Sequence, residues 1–457
     1  MVVWPLNWIL MRHPGRWQVL MLVSGYVFYA WWDWRFAFLL AASTLANQMF
    51  AVSVSKSKDQ QRRKLILALA VIANLSLLGW FKYFNFFTTS AANMLGRVGI
   101  DWAAPAVTTV LPVGISFFTF MALSYVIDAY RGTFQPTSLS KFAVFLSFFP
   151  HIVAGPIVRP AELVPQFESP RDPRRIDASR AFFLIAGGMF KKVVIAGAMA
   201  KLADPVFTSP GTHSAPEVII GIYAYAIQIY ADFSGYTDMA IGLALLLGFK
   251  FPLNFNRPYS AEGLRDFWQR WHMTLSRWLR DYLYIPLGGN RKGPGRTSVN
   301  LLATMILGGL WHGAAWTFLA WGTLHGAGLV AEHRLSARRQ EHGARFHPPA
   351  WLVRLLTLNF VVFAWIFFRA TSFSNAFAVI GRVFSGWGEA GAVSAGSVAV
   401  IVGMIAIQQL RGHFGERMMA AFSRFHWAAQ GAALGVALLF IGALSPAGVA
   451  PFIYFQF

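Results

Sequence analysis

Leu301-Leu-Ala-Thr-Met-Ile-Leu-Gly-Gly-Leu-Trp-His312-Gly-Ala-Ala-Trp-Thr-Phe-Leu-Ala320 is apolar from end to end except for one imidazole. Such a run belongs in lipid or a dry core, where an isolated polar side chain is costly unless it faces a partner or a water-filled cavity. Imidazole is also the side chain best poised to move a proton near neutral pH. His312 is therefore a candidate site, and Gly308, Gly309 and Gly313 around it read as space kept for a substrate. The other reading of His312 is a histidine hydrogen-bonded between helices.

Composition extends this reading to the whole chain. Of 457 residues, 56% are hydrophobic and 13% charged, and the mean hydropathy is +0.49. Soluble domains carry about 25% charged residues, so lipid is the expected outer solvent. Apolar segments at 17–32, 36–54, 65–88, 111–128, 181–202, 218–248, 351–370, 395–411 and 428–450 suit helices rather than alternating strands. The expectation is an all-α polytopic membrane protein forming a single unit over 1–457.

The formal net charge of +20 fits the cytoplasmic bias of Lys and Arg in membrane loops and needs no nucleic acid. Cysteine is absent, which excludes disulfides and thiolate chemistry. Val2 to Met11 is short and has no preceding basic region, so it reads as an interfacial or partly inserted start rather than a cleaved leader.

Sorting loops by basic residues gives a topology. Arg12 and Arg16, Lys56–Lys64 and Arg131–Lys141 face the cytoplasm, and Thr88–Val110 faces outward. Phe149-Pro-His-Ile-Val-Ala-Gly-Pro156 lies between two inside loops and reads as a re-entrant or broken segment. Lys191 and Lys192 interrupt an apolar run, and either snorkel or mark a later helix entry. Residues 298–331 are also flanked by two basic loops. Half of that stretch reaches roughly 25 Å at 1.5 Å per residue, a deep hairpin with His312 near its turn.

Arg265 to Tyr282 alternates aromatic and charged residues, and reads as an amphipathic surface helix with Phe267, Trp271, Trp278 and Tyr282 on one face. His272 within it is the second candidate, or else an interfacial histidine beside two tryptophans. Asp232 and Asp238 in an apolar helix read as buried structural acids paired with arginine. No metal site is expected: His312 and His325 are too far apart for a one-turn pair, and no HExxH occurs. Nor is there a nucleophilic triad signature, a P-loop or a dinucleotide fingerprint.

Several stretches together resemble the membrane-bound O-acyltransferase (MBOAT) family, in its bacterial alginate O-acetyltransferase-like branch. They are Phe28-Tyr-Ala-Trp-Trp32, Leu111-Pro-Val-Gly-Ile-Ser-Phe-Phe-Thr-Phe120, Phe149–Pro156, Tyr230–Gly242, Phe267-Trp-Gln-Arg-Trp-His-Met-Thr-Leu-Ser276, Gly309–Ala315 and Phe452-Ile-Tyr-Phe-Gln-Phe457. The family usually has a longer apolar first helix than Val2 to Met11, where no motif residue lies.

The resemblance implies an MBOAT-like ring of transmembrane helices around a central tunnel, with re-entrant segments. It implies that His312 is the catalytic histidine and that His272 matches the second family histidine. The donor it implies is acetyl-CoA or an equivalent cytoplasmic thioester, with no permanently bound cofactor. Arg265, Arg270, Arg277 and Arg280 would attract the donor phosphates, or else serve as positive-inside anchors. The implied partners are membrane lipids, a periplasmic SGNH-type acetyltransferase of the serine-hydrolase kind and an exported polysaccharide, and the place is the bacterial inner membrane. Two other readings stand beside it: D-alanyl transfer to teichoic acid by a relative, and a flippase or channel using His312 as a relay.

Overall fold

The computed structural model describes residues 2–105, 110–168, 171–342, 348–388, 391, 393–410 and 414–445. The motif Phe452–Phe457 lies outside them. All regular elements among the described residues are helices, and the described part of each of the nine apolar segments is largely helical. Six are long and apolar enough to cross a membrane: Arg35–Lys56, Gln60–Arg97, Ala178–Thr208, Ala215–Leu246, Ala350–Arg369 and Trp427–Leu444. The protein is thus a multi-pass membrane protein. Trp427–Leu444 buries only Ile441, as expected of a helix whose solvent is lipid.

Packing groups the residues into two units, 1–181 with 240–252, and 182–239 with 253–457. In the first, the almost wholly buried helix Ile115–Arg131 packs against Arg35–Lys56 and Gln60–Leu78. Asp59 caps the last of these by accepting from the Gln61 and Arg62 amides, since the first N–H groups of a helix have no partner within it. Asn47 and Asn74 exchange amide hydrogen bonds of 3.2 and 2.8 Å between two apolar helices, the kind of polar contact that joins helices in lipid. Helix Val3–Leu10 spans only about 12 Å at 1.5 Å per residue. Trp4 and Trp8 tie it down by donating to the Leu246 carbonyl.

Phe148 to Arg159 forms turns between the helices Leu139–Ser147 and Pro160–Leu163, so the expected break is present. Within it His151 is buried, and its Nε2–H donates to the Phe145 carbonyl at 2.9 Å. Gly114 has φ +73°, and a Cβ there would lie 2.4 Å from the Ile152 carbonyl oxygen. Only glycine allows the two backbones to approach so closely.

In the second unit, helix Ala178–Met189 runs into a π-helical turn, Phe190–Ala196. Lys191 and Lys192 stand there, and neither explanation expected from the sequence applies. Lys191 Nζ lies 2.5 Å from Asp238 and 3.1 Å from the Ser234 hydroxyl, and Lys192 pairs with Asp232. The two aspartates are buried or half-buried structural acids, but their partners are lysines rather than the expected arginines. A helix passing through lipid can carry a charge when an opposite charge on its neighbour meets it.

Candidate active site

The hairpin is real, and its turn falls at the imidazole. Helix Gly293–His312 ends at His312, Gly313–Ala315 turn the chain, and Trp316–His342 returns. The glycines do something other than expected. A Cβ on Gly313 would lie 2.1 Å from the Phe318 ring, one on Gly309 2.3 Å from the Phe318 carbonyl oxygen, and one on Gly322 2.4 Å from that of Met305. They let the two arms touch backbone to backbone, and Phe318 fills the space beside Gly313 that was expected to await a substrate.

His312 is 4% exposed. Its ring meets Trp311 at 5.0 Å, Trp321 at 5.1 Å and Phe368 at 5.1 Å between centroids. The helix Ala350–Arg369 supplies Phe368.

His272 arrives differently. The expected continuous helix over 265–282 is broken: Leu264–Arg270 stops, His272 takes φ +41°, Met273–Leu279 begins, and a π-helical turn follows. Left-handed backbone is unfavourable for a non-glycine residue, and the stretch around Asn254 holds it. Met273 N–H donates to the Asn254 carbonyl, and Asn256 N–H to that of Arg270, both at 2.9 Å. The expected apolar face, Phe267, Trp271, Trp278 and Tyr282, is buried within the protein rather than laid on a membrane surface.

The side chain of Asn254 fixes the His272 ring. Its Oδ1 accepts from the Thr274 amide at 3.2 Å and the Thr274 hydroxyl at 2.9 Å, which identifies it as the oxygen. His272 Nδ1 lies 3.1 Å from the same oxygen and must therefore donate. The proton sits on Nδ1, and Nε2 keeps its lone pair. That Nε2 is buried and, among the described residues, meets no hydrogen-bond partner. Burial pushes the His272 pKa down to about 3, so the ring is neutral. Phe233 approaches it edge-on at 4.7 Å, and Trp311 lies at 6.1 Å. Trp311 thus touches both candidate histidines and brings them to one place.

The four arginines are less uniform. Arg270 is 2.7 Å from Asp266 and Arg280 is 2.6 Å from Asp281, so each is already matched by a carboxylate. Arg265 is exposed, while Arg277 is half-buried. The Glu332 carboxylate accepts from the Leu264 and Arg265 amides at 2.6 and 3.3 Å, capping the helix that leads to His272. Among the described residues no group of three or more His, Cys, Asp or Glu could hold a metal.

Sequence reasoning missed Asn254, eighteen residues before the ring it orients, and the aromatic wall of Trp321, Trp365 and Phe368. It also passed over the surroundings of His325, which is fully buried between Phe267, Trp268, Trp321 and Phe360. Only local spacing is visible in a sequence, and these contacts join distant elements.

The chain is 43% identical to the "Probable alginate O-acetylase AlgI" of Pseudomonas putida over 377 residues, 80% of this chain and 75% of that protein. It is 39% identical to the "Peptidoglycan O-acetyltransferase" of Helicobacter pylori over 395 residues, 80% of this chain and 73% of that one. A "Teichoic acid D-alanyltransferase" of Streptococcus thermophilus is more distant, 31% identical over 48% of this chain and 56% of its own length. The model of the membrane-bound O-acyltransferase family matches residues 23–379, and the chain belongs to that family.

Proposed function

We propose that this O-acyltransferase moves an acetyl group from a cytoplasmic thioester towards a hydroxyl destined for an exported polysaccharide. The observation that carries the reading is His312 at the hairpin turn, with His272 across the shared Trp311 ring. The relatives named for O-acetylation of alginate and peptidoglycan match over 80% of the chain, which favours acetyl over D-alanyl transfer.

In this reading the acceptor oxygen attacks the thioester carbonyl carbon. His312 takes the hydroxyl proton as the new C–O bond forms, and returns it to the thiolate as the C–S bond breaks. The products are an ester and a free thiol. Partial negative charge gathers at the C-terminal end of a helix, and Gly293–His312 ends at the ring that would carry the proton. His272 offers a lone pair rather than an N–H at Nε2, so it suits accepting a hydrogen bond from an N–H or a further hydroxyl of a bound substrate, while the attacking hydroxyl gives its one proton to His312. A neutral ring in this tautomer cannot donate from Nε2 to a developing oxyanion.

The donor is acetyl-CoA or an equivalent cytoplasmic thioester, with exposed Arg265 the first of the four arginines to meet its phosphates. The first acceptor is a periplasmic SGNH-type acetyltransferase, which esterifies the glycan in turn, and the site of action is the bacterial inner membrane.

The test is acetyl transfer by purified protein in liposomes loaded with acetyl-CoA. His312→Ala is expected to lower transfer by about a hundredfold to ten-thousandfold while membrane insertion and folding are retained. Full transfer by the folded variant would remove the proposed role of His312. Transfer from a D-alanyl carrier protein, with none from acetyl-CoA, would favour the teichoic acid reading.

A further inference from the structure

Away from the histidines, a groove of about 620 Å³ lies between the two hairpin helices. Val299 and Leu302 line it from one helix, and Val330 from the other, with Arg334 and Arg338 one and two turns further on. Its residues on the second helix recur at three- and four-residue spacing, a single stripe along one face. The stripe is aliphatic in its first part and carries Arg334 and Arg338, with Leu335 between them, in its last. No carboxylate is among its described lining residues. Arg334 Nε reaches the Ser298 hydroxyl at 3.4 Å, so the cationic end spans both helices.

We propose that this groove is a binding site for a glycerophospholipid with an anionic headgroup. Acyl chain lies along Val299, Leu302 and Val330, and the phosphate meets the guanidinium forks of Arg334 and Arg338, the Ser298 hydroxyl being engaged with the Pro294 carbonyl. A guanidinium presents several N–H donors in a plane that matches phosphate oxygens. A nucleotide or peptide fits less well, because the lining has no aromatic or amide side chain to hold a base or a backbone. The apolar part faces outward from a chain whose surroundings are lipid, and the two arginines begin the basic stretch Arg334–Arg354. Bound there, the lipid joins the two arms of the hairpin at the end remote from His312.

The test uses the full chain in nanodiscs containing phosphatidylglycerol and phosphatidylcholine, with retained lipid read by native mass spectrometry. The wild type is expected to retain phosphatidylglycerol in preference to phosphatidylcholine. Arg334→Gln and Arg338→Gln should each weaken retention about fivefold, whereas Arg424→Gln, at an exposed position elsewhere, should not. Val299→Trp fills the groove from an exposed position with both arginines in place, and is expected to lose the lipid while melting as the wild type does. Equal retention of both lipids would overturn the proposal, as would unchanged retention in the arginine variants or in Val299→Trp. So would displacement of phosphatidylglycerol by excess coenzyme A, which would assign the arginines to a soluble phosphate.

Discussion

Asn254 decides what His272 can do. One amide oxygen receives two donors from Thr274 and the Nδ1 proton of the ring, leaving Nε2 a pure acceptor. Partners of this kind are worth about 10–100-fold in metal sites, and a similar loss of transfer is expected for Asn254→Ala, largely in kcat, with Asn254→Asp recovering part of it. The ring also makes the protein acid-sensitive. An unfolded chain protonates His272 near pH 6.5, whereas the folded site keeps it neutral to about 3. The unfolded state therefore binds more protons between those values, and stability falls as pH drops below 6.5. The melting temperature in detergent should decline from pH 7 to pH 4, and more shallowly in His272→Gln. Both histidines stood out in the sequence as candidates, in Trp271-His-Met273 and Trp311-His-Gly313, and the structure places them on either side of Trp311. The tautomer was not, because it depends on a residue that local periodicity does not connect to the ring.

The hairpin and the lysine–aspartate pairs set the placement of the larger elements. A helical hairpin could be read from two basic loops close together in the sequence, and the chain does turn at His312, but its arms of 20 and 27 residues are longer than the half-stretch expected. The break at His272 could not: aromatic and charged residues alternate with helical period straight through it, and the deviation is imposed by the stretch around Asn254. The function of the glycines was misread for a similar reason, since a small residue beside an imidazole is equally consistent with open space and with a packed neighbour. Gly322→Ala would place a methyl group 2.4 Å from the Met305 carbonyl oxygen, and is expected to lower both melting temperature and transfer. At the other interface, Asp232→Asn leaves Lys192 without its carboxylate between apolar helices. A loss of about 3–5 kcal/mol is typical of breaking such a buried pair, and Lys192→Met with Asp232→Leu should regain most of it. Thermal melts of the three variants check the order.

At the scale of the molecule, composition alone gave the class: too little charge for a water-facing surface, and enough apolar length for several crossings. The basic loops predict a sidedness that can be measured directly, because the chain has no cysteine and any introduced thiol is unique. Lys58→Cys is expected to react with a membrane-impermeant maleimide only from the cytoplasmic side, and Asp101→Cys only from outside. The reverse pattern would invert the whole assignment.

Because the arms of the hairpin meet through main-chain atoms at Gly309 and Gly322, the position of the imidazole along them behaves like a mark on a rigid ruler. Side-chain drift elsewhere can widen or narrow what surrounds it, yet cannot slide it along the arms. Related enzymes adapted to bulkier acyl groups would then have to diverge in the walls, at positions such as Phe368 and Trp321, while the ruler stays the same.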